Sequence, residues 1–195
     1  MSIDEISAIR NKYTSGELYF LFVGALSPRK NVKGLLQAFE FFKKETASRF
    51  KLVIAGSEMY RSGELIDYKN TMTFGQDVIF TGRVNDQTLN DIYGAAHAFV
   101  FVPFFEGFGI PLIEAMQCHV PVIASNVTSL PEVAGEAAIL VDPANINEIK
   151  NAMIRIYNND DLRNDLIKRG DIQKKLFSWE RTADLLWEGI NKCLY

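Results

Sequence analysis

Cysteine and histidine are scarce in this chain, two of each in 195 residues. Cys118 and Cys193 are too few for a disulfide framework, and neither has a second Cys or a His at ligand spacing. His119 does follow Cys118 directly, but adjacent residues in a helix or strand rarely converge on one ion, so no metal is expected. No apolar run approaches the ~20 residues of a membrane span, and the opening MSIDEISAIRNKY lacks the basic-then-apolar build of a signal peptide. Positive charge is not in excess either. With 21 Lys and Arg against 24 Asp and Glu, the net charge of -3 speaks against the basic stripe of a nucleic-acid binder. A reduced, cytoplasmic protein with no nucleic-acid partner is the expectation.

A hydrophobic fraction of 48% with 23% charged residues describes an ordinary soluble globular chain. At this length folding buries roughly 70% of the unfolded surface, so one compact domain needs no staple. Six short apolar runs stand out, each closed by a turn former: 18–23 (LYFLFV), 50–55 (FKLVIA), 78–81 (VIFT), 98–102 (AFVFV), 120–124 (VPVIA) and 137–141 (AAILV). Most segments between them read as helices. Residues 31–44 place Val32, Leu35, Leu36, Phe39 and Phe42 on one stripe with Asn31 as N-cap, and 86–96 turns Leu89, Ile92 and Tyr93 inward. Residues 146–157, 160–176 and 178–195 read as three consecutive helices, the last capped by Ser178. The predicted fold is α/β, a Rossmann-like parallel sheet of about six strands with helices on both faces and a helical C-terminus. Residues 1–17 are polar and short of periodicity, a frayed helix or the tail of a connection.

In an open parallel sheet ligands bind beyond the carboxyl ends of the strands, so only the loops after each run are candidates. After the first comes Gly24-Ala25-Leu26-Ser27-Pro28-Arg29-Lys30-Asn31. A glycine that lets backbone approach, two adjacent cations and a helix N-terminus suit a phosphate or pyrophosphate; a solvated basic turn is the plainer reading. The loop is neither a Walker A sequence nor a dinucleotide fingerprint. After the fourth run Pro111 fits the first turn of a helix, so Gly107, Phe108, Gly109 and Ile110 are expected to present N–H groups at the positive end of its dipole. Glu106 precedes them in a loop crowded with aromatics. Glu114, one turn into the helix, either reaches a ligand lying across that end or partners the dipole. Gly82-Arg83-Val84 adds another glycine with a cation, and Ser125 and Ser129 read as caps. Phe104 and Phe105 read as core packing, as the lining of a groove or as a contact for another domain, and Trp187 has the same three readings.

The runs FVGALSPRKNVKGLLQAF, FTGRVNDQTLNDIYGAA, FFEGFGIPLIEAMQCHVPVIAS and SLPEVAGEAAILVDP resemble the C-terminal, nucleotide-sugar-binding domain of the group one retaining glycosyltransferases with the GT-B fold. The most specific element is the pair Glu106 and Glu114 around Gly107-Phe108-Gly109. The resemblance implies that Glu106 lies against the donor sugar and that Glu114 holds the ribose hydroxyls. It implies that Lys30, with Arg29, neutralises the diphosphate beside Gly24, so Glu106 and Lys30 would be the catalytic residues. Arg83 and Val84 would border the base. Phe108, Gly109 and Ile110 would offer amides to the sugar or its phosphates, and Leu112 and Glu114 would belong to the helix facing the diphosphate.

Many members carry Gly-Arg after the first strand where this chain has Ala25, and the Pro-Arg-Lys-Asn form is similar to a subgroup rich in mannosyltransferases. The donor would be GDP- or UDP-linked, and no cofactor or metal is required. Residues 1–17 would be the remnant of an interdomain linker and 18–195 the donor domain. The partner would be a missing N-terminal acceptor domain, through which any peripheral membrane association would run. The alternatives are a nucleotide-sugar-binding module without catalysis of its own and a sugar-nucleotide 2-epimerase-like protein.

Overall fold

The computed structural model describes residues 1–57 and 62–194. Six strands form one parallel sheet: β1 (Tyr19–Val23), β2 (Lys51–Ala55), β3 (Val78–Gly82), β4 (Ala98–Phe101), β5 (Val122–Ser125) and β6 (Ala138–Val141). Their order is β3-β2-β1-β4-β5-β6. All five residues of β1 are buried, as the YFLFV run requires of a strand covered on both faces. Each of the six apolar runs became a strand within one or two residues of its predicted ends.

The helices are α1 (Ile3–Thr14), α2 (Val32–Thr46), α3 (Ser62–Thr71), α4 (Asp86–Ala95), α5 (Ile110–Gln117), α6 (Leu130–Ala134), α7 (Ile146–Asn158), α8 (Asp160–Gln173) and α9 (Trp179–Leu194). α2 packs on α3 and α7, whereas α5 packs on α4, α6 and α8, which places helices on both faces of the sheet. Rings seal the amino end of the first layer: Phe42 lies 5.2 Å from Phe20 and 5.9 Å from Phe50, and Phe50 lies 5.2 Å from Tyr157. Each such ring removes enough apolar surface from water to contribute about 2–3 kcal/mol. His97, just before β4, sits 4.9 Å from the Phe50 ring, far from the carboxyl edge. Among the described residues no helix is long and apolar enough to cross a membrane.

Two features correct the sequence reading. Residues 3–14 are an ordered helix rather than a frayed stretch: Ser2 and Glu5 close a capping box, and Arg10 Nε donates to the Ala95 carbonyl at 3.0 Å, tying α1 to α4. Asn31 occupies the N-cap position of α2, but its side chain makes no capping bond. It has φ of 55° and donates its amide to the carbonyls of Val102 at 3.0 Å and Pro143 at 2.7 Å. Buried carbonyls that need a donor outweigh a local cap. Ser178 does cap α9, accepting from Arg181 N–H at 3.1 Å; Tyr195, the predicted last residue of that helix, lies outside the described residues.

Candidate functional site

The connections after β1 and β4 leave the sheet where its strand order reverses, and a crevice forms between them. Gly24 N–H donates to Ala55 O at 2.9 Å and Gly56 N–H to Gly82 O at 3.1 Å, so a row of glycines crosses the carboxyl edge. The approach is closest at Gly56, where a Cβ would stand 1.9 Å from the Gly24 carbonyl oxygen. Beyond Gly24 the chain forms a single 3-10 turn, Pro28–Lys30, which aims two successive cations at the β4 loop. Phe104 N–H donates to Arg29 O at 2.9 Å and locks the two loops together.

Glu106 is the centre of the site. Its Oε1 accepts from Arg29 at 2.6 Å and pairs with Lys30 Nζ as well. Arg29 also donates to the Phe105 carbonyl at 2.5 Å. The Lys30 and Glu106 side chains are 11% and 12% exposed, so their pairing is shielded, while Arg29 at 48% is wet. Lys30 Nζ also stands 4.7 Å from the Phe101 ring centre, a cation–π contact that orients the ammonium. The main chain of Glu106 is held from a third loop. Its N–H donates to Thr128 Oγ1 at 3.2 Å, and Ser129 Oγ lies 3.0 Å from the carbonyls of both Glu106 and Phe108. The sequence predicts a cap at Ser129; its hydroxyl is used on the neighbouring loop instead.

Gly109 takes φ of 105° at the N-cap of α5, a conformation that favours glycine, and Pro111 falls in the first turn as predicted. Glu114, one turn in, accepts from the Tyr93 hydroxyl at 3.0 Å. Burial and the Glu114 charge push the Tyr93 phenol well above its ordinary range, so Tyr93 stays a donor. Tyr93, like Thr128, is a site partner that sequence reasoning missed; its helical spacing marks it only as inward-facing.

The structure therefore brings Gly24, Arg29, Lys30 and Glu106 together, with Gly107, Phe108, Gly109 and Ile110 leading from Glu106 into α5. Arg83 is exposed and Val84 half-buried after β3, two strands from β1, with no hydrogen bond or ion pair to that cluster among the described residues. Leu112, in the first turn of α5, is fully buried. Phe104 and Phe105 are 50% and 56% exposed, so core packing is excluded for both. With Phe108 and Ile110 they make the rim of the crevice apolar. A cavity of about 550 Å³ borders Ser27, Pro28, Asn31 and Phe104 but reaches none of Arg29, Lys30, Glu106 or Glu114.

A doubly wound parallel sheet with cations and a carboxylate at its switch point defines a Rossmann-like binding domain. The model of the glycosyl transferases group 1 family matches residues 4–173, and the chain belongs to that family. It is 40% identical over 162 residues to the O-antigen chain mannosyltransferase B of Escherichia coli, covering 83% of this chain and 42% of that protein. It is 31% identical over 196 residues to the serotype-specific mannosyltransferase WbdA of Escherichia coli, covering 99% of this chain and 24% of that one. Among solved structures, sucrose-phosphate synthase from Thermosynechococcus elongatus superposes with a TM-score of 0.84 at 27% identity, over 98% of this chain and 49% of the other. The chain thus spans less than half the length of each of these three proteins.

Proposed function

We propose that the chain is the donor half of a glycosyltransferase, binding a nucleoside diphosphate sugar whose sugar the whole protein passes to an acceptor hydroxyl with retention at the anomeric carbon. The observation that carries the reading is the convergence of Lys30 and Arg29 on Glu106 at the entrance of α5. In the reaction the bond between the anomeric carbon and the diphosphate breaks through an oxocarbenium-like state. Lys30, Arg29 and the α5 dipole meet the negative charge growing on the leaving group, so no metal is called on. Glu106 orients the sugar and offsets positive charge at its ring. Glu114, with one oxygen held by Tyr93, has lone pairs left for the vicinal hydroxyls of a ribose.

Mannose is the sugar we propose, because two of the relatives are named mannosyltransferases. The partner is an upstream half that brings the acceptor, and residues 1–17 lead from it. The exposed apolar residues Trp179, Leu186, Trp187 and Ile190 on α9 would dock against that half. Alone, the chain would bind donor and transfer nothing. Calorimetry with GDP-, UDP- and ADP-sugars tests the binding, and absence of heat with all three overturns the reading. In the complete protein Glu106→Gln and Lys30→Ala should each lose at least about 100-fold in turnover, the scale of lost charge stabilisation at a reacting centre. Near-normal turnover in both would refute their roles.

A further inference from the structure

We propose that Glu106 is an internal stand-in for the donor's diphosphate, a self-neutralising latch that only a complete sugar nucleotide opens to advantage. The inference rests on the donor-binding reading above. One oxygen of Glu106, Oε1, accepts from both Lys30 and Arg29. Two cations 29 and 30 in sequence serve one carboxylate, and a diphosphate arriving at the same nitrogens must displace it. The main chain around Glu106 does not move with the side chain, since Thr128 and Ser129 hold its amide and carbonyl. Displacement is then a rotation of the Glu106 side-chain torsions alone.

The energetic consequence discriminates between ligands. A bare nucleoside diphosphate breaks both ion pairs and offers the freed carboxylate nothing. A sugar nucleotide breaks the same pairs but presents hydroxyls for the carboxylate to accept. The latch thus weakens product-like ligands relative to donor, a specificity made by the ground state of the empty site.

The test is titration calorimetry of the chain with GDP and UDP, then with the matching sugar nucleotide, for wild type, Glu106→Gln and Glu132→Gln. For whichever nucleotide the wild type binds, Glu106→Gln should bind the bare diphosphate about tenfold more tightly, the scale of one or two partly exposed ion pairs. Its preference for the sugar nucleotide should shrink by a similar factor. Glu132→Gln, which removes an exposed carboxylate on α6 outside the site, should bind the bare diphosphate no more tightly than wild type. Unchanged or weaker binding by Glu106→Gln overturns the latch and leaves the donor reading standing. Equal tightening by both variants overturns it too, as a general effect of removing negative charge. If neither wild type nor Glu106→Gln binds any nucleotide, the donor reading fails and the latch with it.

Discussion

Tyr93 and His97 are four positions apart, both buried, and each carries a different testable property. The Tyr93 hydroxyl fixes Glu114, so Tyr93→Phe should leave the fold intact, cost about 1 kcal/mol in urea unfolding and weaken nucleotide binding severalfold by calorimetry. His97 is held neutral: burial first, then the nearby charges of Arg163 and Arg10, lower it from 6.5 to about 4 against the opposing Ile156 carbonyl and Asp160. Its Nε2 is buried without a partner among the described residues. The unfolded chain binds this proton more readily than the folded one. The contribution is therefore complete above the unfolded value and is lost as pH falls from 6.5 toward 4, by roughly 3 kcal/mol in all. His97→Phe, placed among Phe20 and Phe50, should flatten that part of the curve of melting temperature against pH; an unchanged slope would show that other groups set it.

At the level of elements, the glycine row along the carboxyl edge is more demanding than any single helix. Gly56→Ala would drive a Cβ against the Gly24 carbonyl, a backbone atom that cannot swing aside. Overpacking of this kind costs about 1–3 kcal/mol, so a lowered urea midpoint with nucleotide binding lost is expected. The strands were legible because a buried parallel strand is a short apolar run with a turn former after it. The loops of the site were legible too, since strand ends are where such a fold exposes amides. What was not legible is who meets whom. Arg29 and Glu106 are 77 positions apart, and no local pattern announces that they pair. Asn31 reads as a cap because caps are local, while its partners Val102 and Pro143 are not. The helix at residues 3–14 escaped a periodicity test, although Ser2 and Glu5 carry the spacing of a capping box.

At the level of the molecule, the family match ends at residue 173, and α9 lies beyond it with Trp179 80% and Trp187 65% exposed. Removing residues 178–195 should change unfolding free energy by less than about 1 kcal/mol, the ordinary range for surface changes, while ending turnover in the complete protein. A large loss of stability would mean that α9 holds the body together. The reversal of strand order has a consequence for assembly of the chain. The cations leave the sheet after β1 and the carboxylate after β4, and only two residue pairs, Phe20 with Ala98 and Leu21 with Phe99, register those strands against each other. A chain whose first three strands have formed carries bare, unbalanced cations; completing β4 supplies their counter-charge. On the donor reading, affinity for a complete sugar nucleotide, which needs both loops, would therefore report on topology: such a ligand grips molecules in which the two ends of the sheet have found each other and draws the folding equilibrium toward them.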